Sequence, residues 1–122
     1  MDKSAVDFRL LARHAEHART YHDGELIFRA GESGNTFYVV DTGTVEIRRG
    51  DRILETVTHG GIFGEMAIID ASPRAADAVA VGDVSVFAVN ERRFLFLIAE
   101  MPYFGLNVMR VLTRRLRAAT AA

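Results

Sequence analysis

Glycine punctuates the middle of this chain, and that punctuation restricts the fold more than any other feature. Asp23-Gly24, Gly31, Ser33-Gly34-Asn35, Asp41-Thr42-Gly43, Gly50-Asp51, Gly60-Gly61 and Gly82-Asp83 mark turns, and the runs between them are too short for helices. Thr44 to Arg48 alternates, with Val45 and Ile47 on one side and Glu46 and Arg48 on the other. Val84, Val86 and Ala88 alternate in the same way with Ser85, Phe87 and Val89. A period of two between turn residues is the signature of half-buried strands, and many such strands in succession predict a β-sandwich or jelly roll. Hydrophobic residues make up 49% of the 122, enough for a real core, so residues 1–122 read as one domain.

Both ends carry a different period. Ser4 to His17 lacks strong turn residues and sets Val6, Leu10 and Leu11 among charges, which predicts a short N-terminal helix. Near the other end, Asn90 can cap a helix carrying Phe94, Leu97 and Ile98, and Pro102 interrupts it. A second helix follows over about 104–118, with Leu106, Met109, Leu112 and Leu116 at helical spacing. Arg110, Arg114 and Arg117 fall on another of its faces, where cations suit a helix C-terminus and solvent. The prediction is therefore a mainly β fold, a β-jelly-roll barrel with one helix before it and two after.

Several function classes are excluded by composition. Cysteine is absent, which removes disulfides, thiolate metal sites and cysteine catalysis. The net charge of −1 is not that of a general nucleic-acid binder. The N-terminus is charged from its second residue and has no secretory h-region, and Phe94 to Ala99 is too short a run to cross a bilayer. A cytoplasmic location is the resulting expectation. His14 and His17 lie at i, i+3 with no third ligand nearby, so no metal site is expected. Neither a partnered serine nor the His/Asp cluster of a metal-dependent phosphodiesterase can be found.

One stretch carries distinctive chemistry: "FGEMAIIDASPRAADAV", Phe63 to Val79. The glycines before it lead into a short helical segment starting near Gly64 or Glu65, and helix starts offer N–H groups to anions. Gly64 lets a ligand approach its backbone, Arg74 can grip two phosphate oxygens with its planar fork, and Ala67, Ala75 and Ala76 leave room for that approach. Glu65 would repel a phosphate, but an ionised carboxylate only accepts hydrogen bonds, so it suits a sugar hydroxyl beside the phosphate. A compact cyclic nucleotide presents both groups. The plain alternative is an ordinary ion pair between Glu65 and Arg74 that ties a loop to a strand.

The pattern F-G-E-M-A-I-I-D-x-x-P-R-A-A closely resembles the phosphate-binding cassette of the cyclic nucleotide-binding domain family, here over about residues 61–79. Gly24 to Glu32 resembles the family's early strand and glycine turn, and Phe37 to Val40 followed by Gly43 its next strand. With the terminal helices, the resemblance covers roughly residues 18 to 117. It implies that Glu65 holds the ribose 2′-hydroxyl, that Arg74 pairs with the cyclic phosphate, and that Gly64, Met66, Ala67, Ala75 and Ala76 complete the cradle. It places Arg115 where channel-type members stack an arginine on the base, with a solvated arginine as the alternative. Val57 is placed at the base pocket, with a core role as the alternative. Ala75 lacks the hydroxyl common after the cassette arginine in members that prefer cGMP, which leans the expectation to cAMP. Asp77 departs from the usual Thr or Ser; pointed inward it would weaken phosphate binding, and the reading here is outward.

The resulting expectation is a stand-alone sensor that binds cAMP, or secondarily cGMP, and signals to an effector protein by moving its C-terminal helix. It is not expected to act as an enzyme, or to bind nucleic acid or membrane through this chain alone. Competing readings are the ligand-binding fragment of a transcription regulator or channel, a degenerate ligand-free interaction domain, and a small phosphodiesterase.

Overall fold

A computed structural model describes residues 18–120. The N-terminal helix expected over Ser4 to His17 lies outside the described residues. Strands β1 (Arg19–Tyr21), β2 (Leu26–Phe28), β3 (Thr36–Arg49), β4 (Arg52–Val57) and β5 (Ile62–Phe63) are followed by a single helical turn, α1 (Met66–Ile69). Then come β6 (Asp77–Asn90), α2 (Glu91–Glu100) and α3 (Pro102–Thr120). All pairings are antiparallel in one six-stranded sheet, in the order β1-β6-β3-β4, with β2 also on β6 and β5 also on β3. The fold is the mainly β roll with flanking C-terminal helices that the glycine punctuation predicts.

Two of the expected turns are not turns. β3 and β6 run 14 residues each, and they pair from Thr36↔Asn90 to Arg48↔Asp77. The register shifts on either side of Thr42, so Asp41-Thr42-Gly43 is a bulge inside one bent strand. Gly43 has φ +90°, and a Cβ there would lie 2.4 Å from the Asp83 carbonyl oxygen, so only glycine permits the crossing. The bulges let one long ribbon bend into a roll where separate short strands were expected.

The alternation in β6 sorts two cores. Ala78, Ala80, Val84, Val86 and Ala88 pack with Tyr38, Val40, Val45, Val57 and Phe63 inside the roll. Phe87 and Val89, on the opposite face, pack with Phe37, Val39 and Ile62 against Leu97, Phe104, Val108 and Val111 of the two helices. Asn90 ends β6 and caps α2, its side-chain oxygen accepting from the Arg93 N–H at 2.9 Å.

In α3 the buried stripe differs from the expected one. Phe104, Gly105, Val108 and Val111 are buried, whereas Met109 is 59% and Leu116 66% exposed. The sheet offers Phe37, Phe87 and Val89 as a complementary surface, and the aromatic and β-branched stripe fits it. Continuing that stripe by one more turn brings the chain to Arg115. No single helix among the described residues is long and apolar enough to cross a membrane; α2 and α3 together have the length but are bent by 117°.

Candidate functional site

Arg74 is built into the roll from three sides. Its backbone is clipped to the turn after β2: Gly31 N–H donates to the Arg74 carbonyl at 2.7 Å, and Arg74 N–H to the Glu32 carbonyl at 2.9 Å. Its guanidinium donates from Nη1 to the Gly64 carbonyl at 2.9 Å and from Nη2 to the Thr36 carbonyl at 2.8 Å. It lies over the Phe28 ring at 4.2 Å, with the Tyr38 ring at 5.8 Å, both within cation–π range. The residue is only 7% exposed. Burial pushes its pKa down, opposed by Tyr38, Glu32 and Glu65, and an arginine there remains a cation. Its planar group fills space that side chains at Gly34 and Gly64 would occupy, since a Cβ at either would come within 2.7 Å of it.

Glu65 sits at the entrance to α1 and is 3% exposed. It does not pair with Arg74. Its Oε1 accepts from Nη1 of Arg115, while its Oε2 is buried with no hydrogen-bond partner among the described residues. An ionised oxygen left so is costly unless something else satisfies it.

Arg115 forks three ways. Besides Glu65, its Nε donates to Glu55 Oε2 at 2.7 Å and its Nη2 to the Ile62 carbonyl at 2.8 Å. Burial opposes its charge, but Glu65 and Glu55 outweigh burial and the net pKa shift is upward. In this structure the helical stripe turns Arg115, the residue expected to stack on the base, inward onto two carboxylates. Its side chain is 28% exposed and paired, not simply solvated. Arg110, Arg114 and Arg117 are exposed as the sequence predicts.

The remaining predicted residues fall around these charges. Gly64 has φ +78°, which a side chain would strain. Ala67 and Ala76 are buried, Met66 and Ala75 are exposed, and the Ala67 N–H reaches the Gly64 carbonyl at 3.4 Å. Val57 is buried in the roll core, yet also lines a cavity of about 200 Å³ beside α3. Asp77 stands on the strand face opposite buried Ala76 and Ala78, and its Oδ1 accepts from the Ala30 N–H at 2.8 Å, so it points outward.

Sequence reasoning missed Phe28, Gly34 and Thr36 around Arg74, and Glu55 beside Arg115. A backbone carbonyl leaves no trace in residue type, but Glu55, an acid on an edge strand of a phosphate-directed site, was visible. His14 and His17 lie outside the described residues. Among the described residues, no three His, Cys, Asp or Glu side chains are grouped to hold a metal ion.

Comparison with known proteins identifies the family and the fold. A family model for the cyclic nucleotide-binding domain matches residues 18–101. The chain is 37% identical over 106 residues to the cyclic AMP receptor protein of Thermus thermophilus, covering 83% of this chain and 49% of that one. It is 35% identical over 93 residues to a cAMP-dependent protein kinase regulatory subunit of Eremothecium gossypii, covering 76% of this chain and 20% of that one. The chain thus spans half or less of the length of these relatives. The crystal structure of Thermus thermophilus catabolite activator protein superposes with a TM-score of 0.80 at 32% identity, covering 98% of this chain and 56% of that one. This chain belongs to the cyclic nucleotide-binding domain family.

Proposed function

We propose that this chain is a cyclic-nucleotide sensor module that binds cAMP in preference to cGMP and signals to an effector protein through α3. The observation that carries the reading is the buried Oε2 of Glu65, which has no partner among the described residues. A ribose 2′-hydroxyl is the donor it lacks. Arg74 supplies the cation for the cyclic phosphate: two of its five N–H groups hold Gly64 and Thr36, and the others stay available. The Gly64 carbonyl ties the two ends of the site together, since it accepts from Arg74 and precedes Glu65 in the chain. Ala75, with no hydroxyl, supports the lean to cAMP.

The route to α3 follows from one carboxylate serving two clients. Oε1 of Glu65 holds Arg115 of α3, and Oε2 takes the ligand hydroxyl, so binding at one oxygen changes the helix's anchor at the other. Ligand and helix position are then coupled, and reciprocally so. The module binds its ligand and releases it unchanged.

Calorimetry of the purified chain with cAMP, cGMP and 5′-AMP tests this reading. Saturable binding of the cyclic nucleotides, far weaker binding of 5′-AMP and recovery of intact cAMP are expected. Binding of neither cyclic nucleotide removes the reading, and consumption of cAMP replaces it with the phosphodiesterase.

A further inference from the structure

Arg74 is a buried cation with no anion beside it. Among the described residues no carboxylate pairs with it: Glu65 is committed to Arg115, and the Glu32 side chain accepts from the Arg29 N–H at 2.7 Å. A buried charge left so is costly, and the water outside competes for it. The Gly64 and Thr36 carbonyls hold the guanidinium but bring no net negative charge. The ring of Phe28, 4.2 Å from the guanidinium carbon, is the nearest aromatic face to it.

The backbone aims Phe28 at this place. Leu26 pairs with Val79 and Phe28 with Ala78, so β2 advances two residues against one of β6, and Ile27 is extra. That irregularity breaks the alternation of an ordinary strand, and the successive side chains of Ile27 and Phe28 both pack against the core inside the roll. The Phe28 ring is backed by Phe63 at 5.9 Å and Tyr38 at 6.1 Å, which stack on each other at 5.2 Å. A Cβ on Gly64 would come to 3.1 Å from Cε2 of Phe28 and 2.7 Å from Nη1 of Arg74, so the ring and the guanidinium close on the same glycine.

We infer that Phe28 is a positioning residue for the phosphate site, whose ring face keeps the Arg74 guanidinium inside the roll while leaving its donors open. This rests on the cyclic-nucleotide reading of the site and goes beyond it. An aromatic face attracts a cation through its quadrupole and takes none of the in-plane N–H groups. A carboxylate in the same place would satisfy the charge but occupy the fork that a phosphate needs. Without the ring's attraction the guanidinium is better solvated outside the roll. The share of molecules ready for a phosphate then falls, and the apparent affinity falls with it.

The test is calorimetry with cAMP on chains carrying 4-fluoro-, 3,5-difluoro- or pentafluorophenylalanine at position 28, beside the wild type and Phe28→Leu. Fluorine drains negative charge from the ring face and nearly keeps its shape, so a residue that only packs is indifferent to it. Affinity is expected to fall stepwise with fluorination, by about fivefold for the pentafluoro ring, and by about five- to tenfold for Phe28→Leu. Denaturant unfolding checks that each chain is folded; if Phe28→Leu is not, the fluorinated series decides alone. Affinity that stays level or rises across that series overturns the inference and leaves Phe28 a packing residue, whatever Phe28→Leu does. A wild type that binds neither cAMP nor cGMP is a separate result, which removes the phosphate reading of Arg74 and the inference with it.

Discussion

Glu65 and Arg115, 50 residues apart in the chain, meet as an ion pair that fastens α3 to the start of α1. The carboxylate is almost wholly buried and the arginine side chain is 28% exposed, so the pair lies between the surface and the deep interior. Removing one partner of a buried pair strands the other charge, and that loss exceeds the net worth of the pair.

Arg115→Met is therefore expected to destabilise the chain by about 2 kcal/mol, a discounted value because the arginine is partly solvated. Denaturant unfolding measures it. Combining Arg115→Met with Glu65→Gln should recover much of the loss, since the buried carboxylate is gone and the Glu55 carboxylate left without Arg115 is 40% exposed and reaches solvent. Additive losses in the double variant would show that the two residues do not share one interaction.

Arg74→Ala should abolish measurable cyclic-nucleotide binding, and Arg74→Lys should restore part of it, because lysine supplies the charge without the fork. Calorimetry reads both. Wild-type affinity in Arg74→Ala would place the phosphate elsewhere.

Gly34→Ala is a subtler probe of the same group. A Cβ there comes to 2.5 Å from Nη2 of Arg74, and the guanidinium is pinned by Gly64 and Thr36 and must move. Affinity should fall by about tenfold, a loss near 1.4 kcal/mol. An unaltered affinity would mean that the pinned geometry is not the binding geometry.

If the free oxygen of Glu65 takes the ribose hydroxyl, 2′-deoxy-cAMP should bind about tenfold or more weakly than cAMP, since a hydrogen bond to a charged group is worth about 1.5–3 kcal/mol. Glu65→Gln should narrow that gap. Equal affinities for the two ligands in the wild type would reduce Glu65 to the anchor of Arg115.

Asp77→Ala should leave nucleotide affinity unchanged and lower stability by about 1 kcal/mol, through loss of the bond to the Ala30 N–H. A marked gain in affinity would show that the carboxylate acts on the phosphate after all.

How much of this was legible in the sequence varied with the kind of signal. Strand alternation and the Asn90 cap were readable because each is a local pattern with a local cause. Gly43 reads as a turn because a glycine with positive φ looks the same in sequence whether it ends a strand or bends one. On α3, both Leu106–Met109–Leu112–Leu116 and Phe104–Val108–Val111 have helical spacing, and only the sheet's own surface decides between them. That choice also decided Arg115, since the stripe that packs carries it inward. The motif singled out Glu65 and Arg74, but their spacing suggested a mutual ion pair as readily as two separate partners. Separate partners came from Arg115 and from backbone carbonyls, which spacing within the motif cannot encode.

The pairing of β3 with β6 has a consequence for the order of folding. Residues 50–76, which include Glu55, Glu65 and Arg74, lie within the loop that this pairing closes. Closing such a loop carries its entropy cost before the contacts form, which makes it a late and slow event compared with helix formation. Thr36, whose carbonyl holds Arg74, lies at one end of the ribbon and pairs with Asn90 at the end of β6. A chain that has not zipped the ribbon to that end has no fixed guanidinium, so a half-folded chain has nothing with which to grip a phosphate. Ligand added during refolding should therefore slow unfolding and leave the folding rate unchanged.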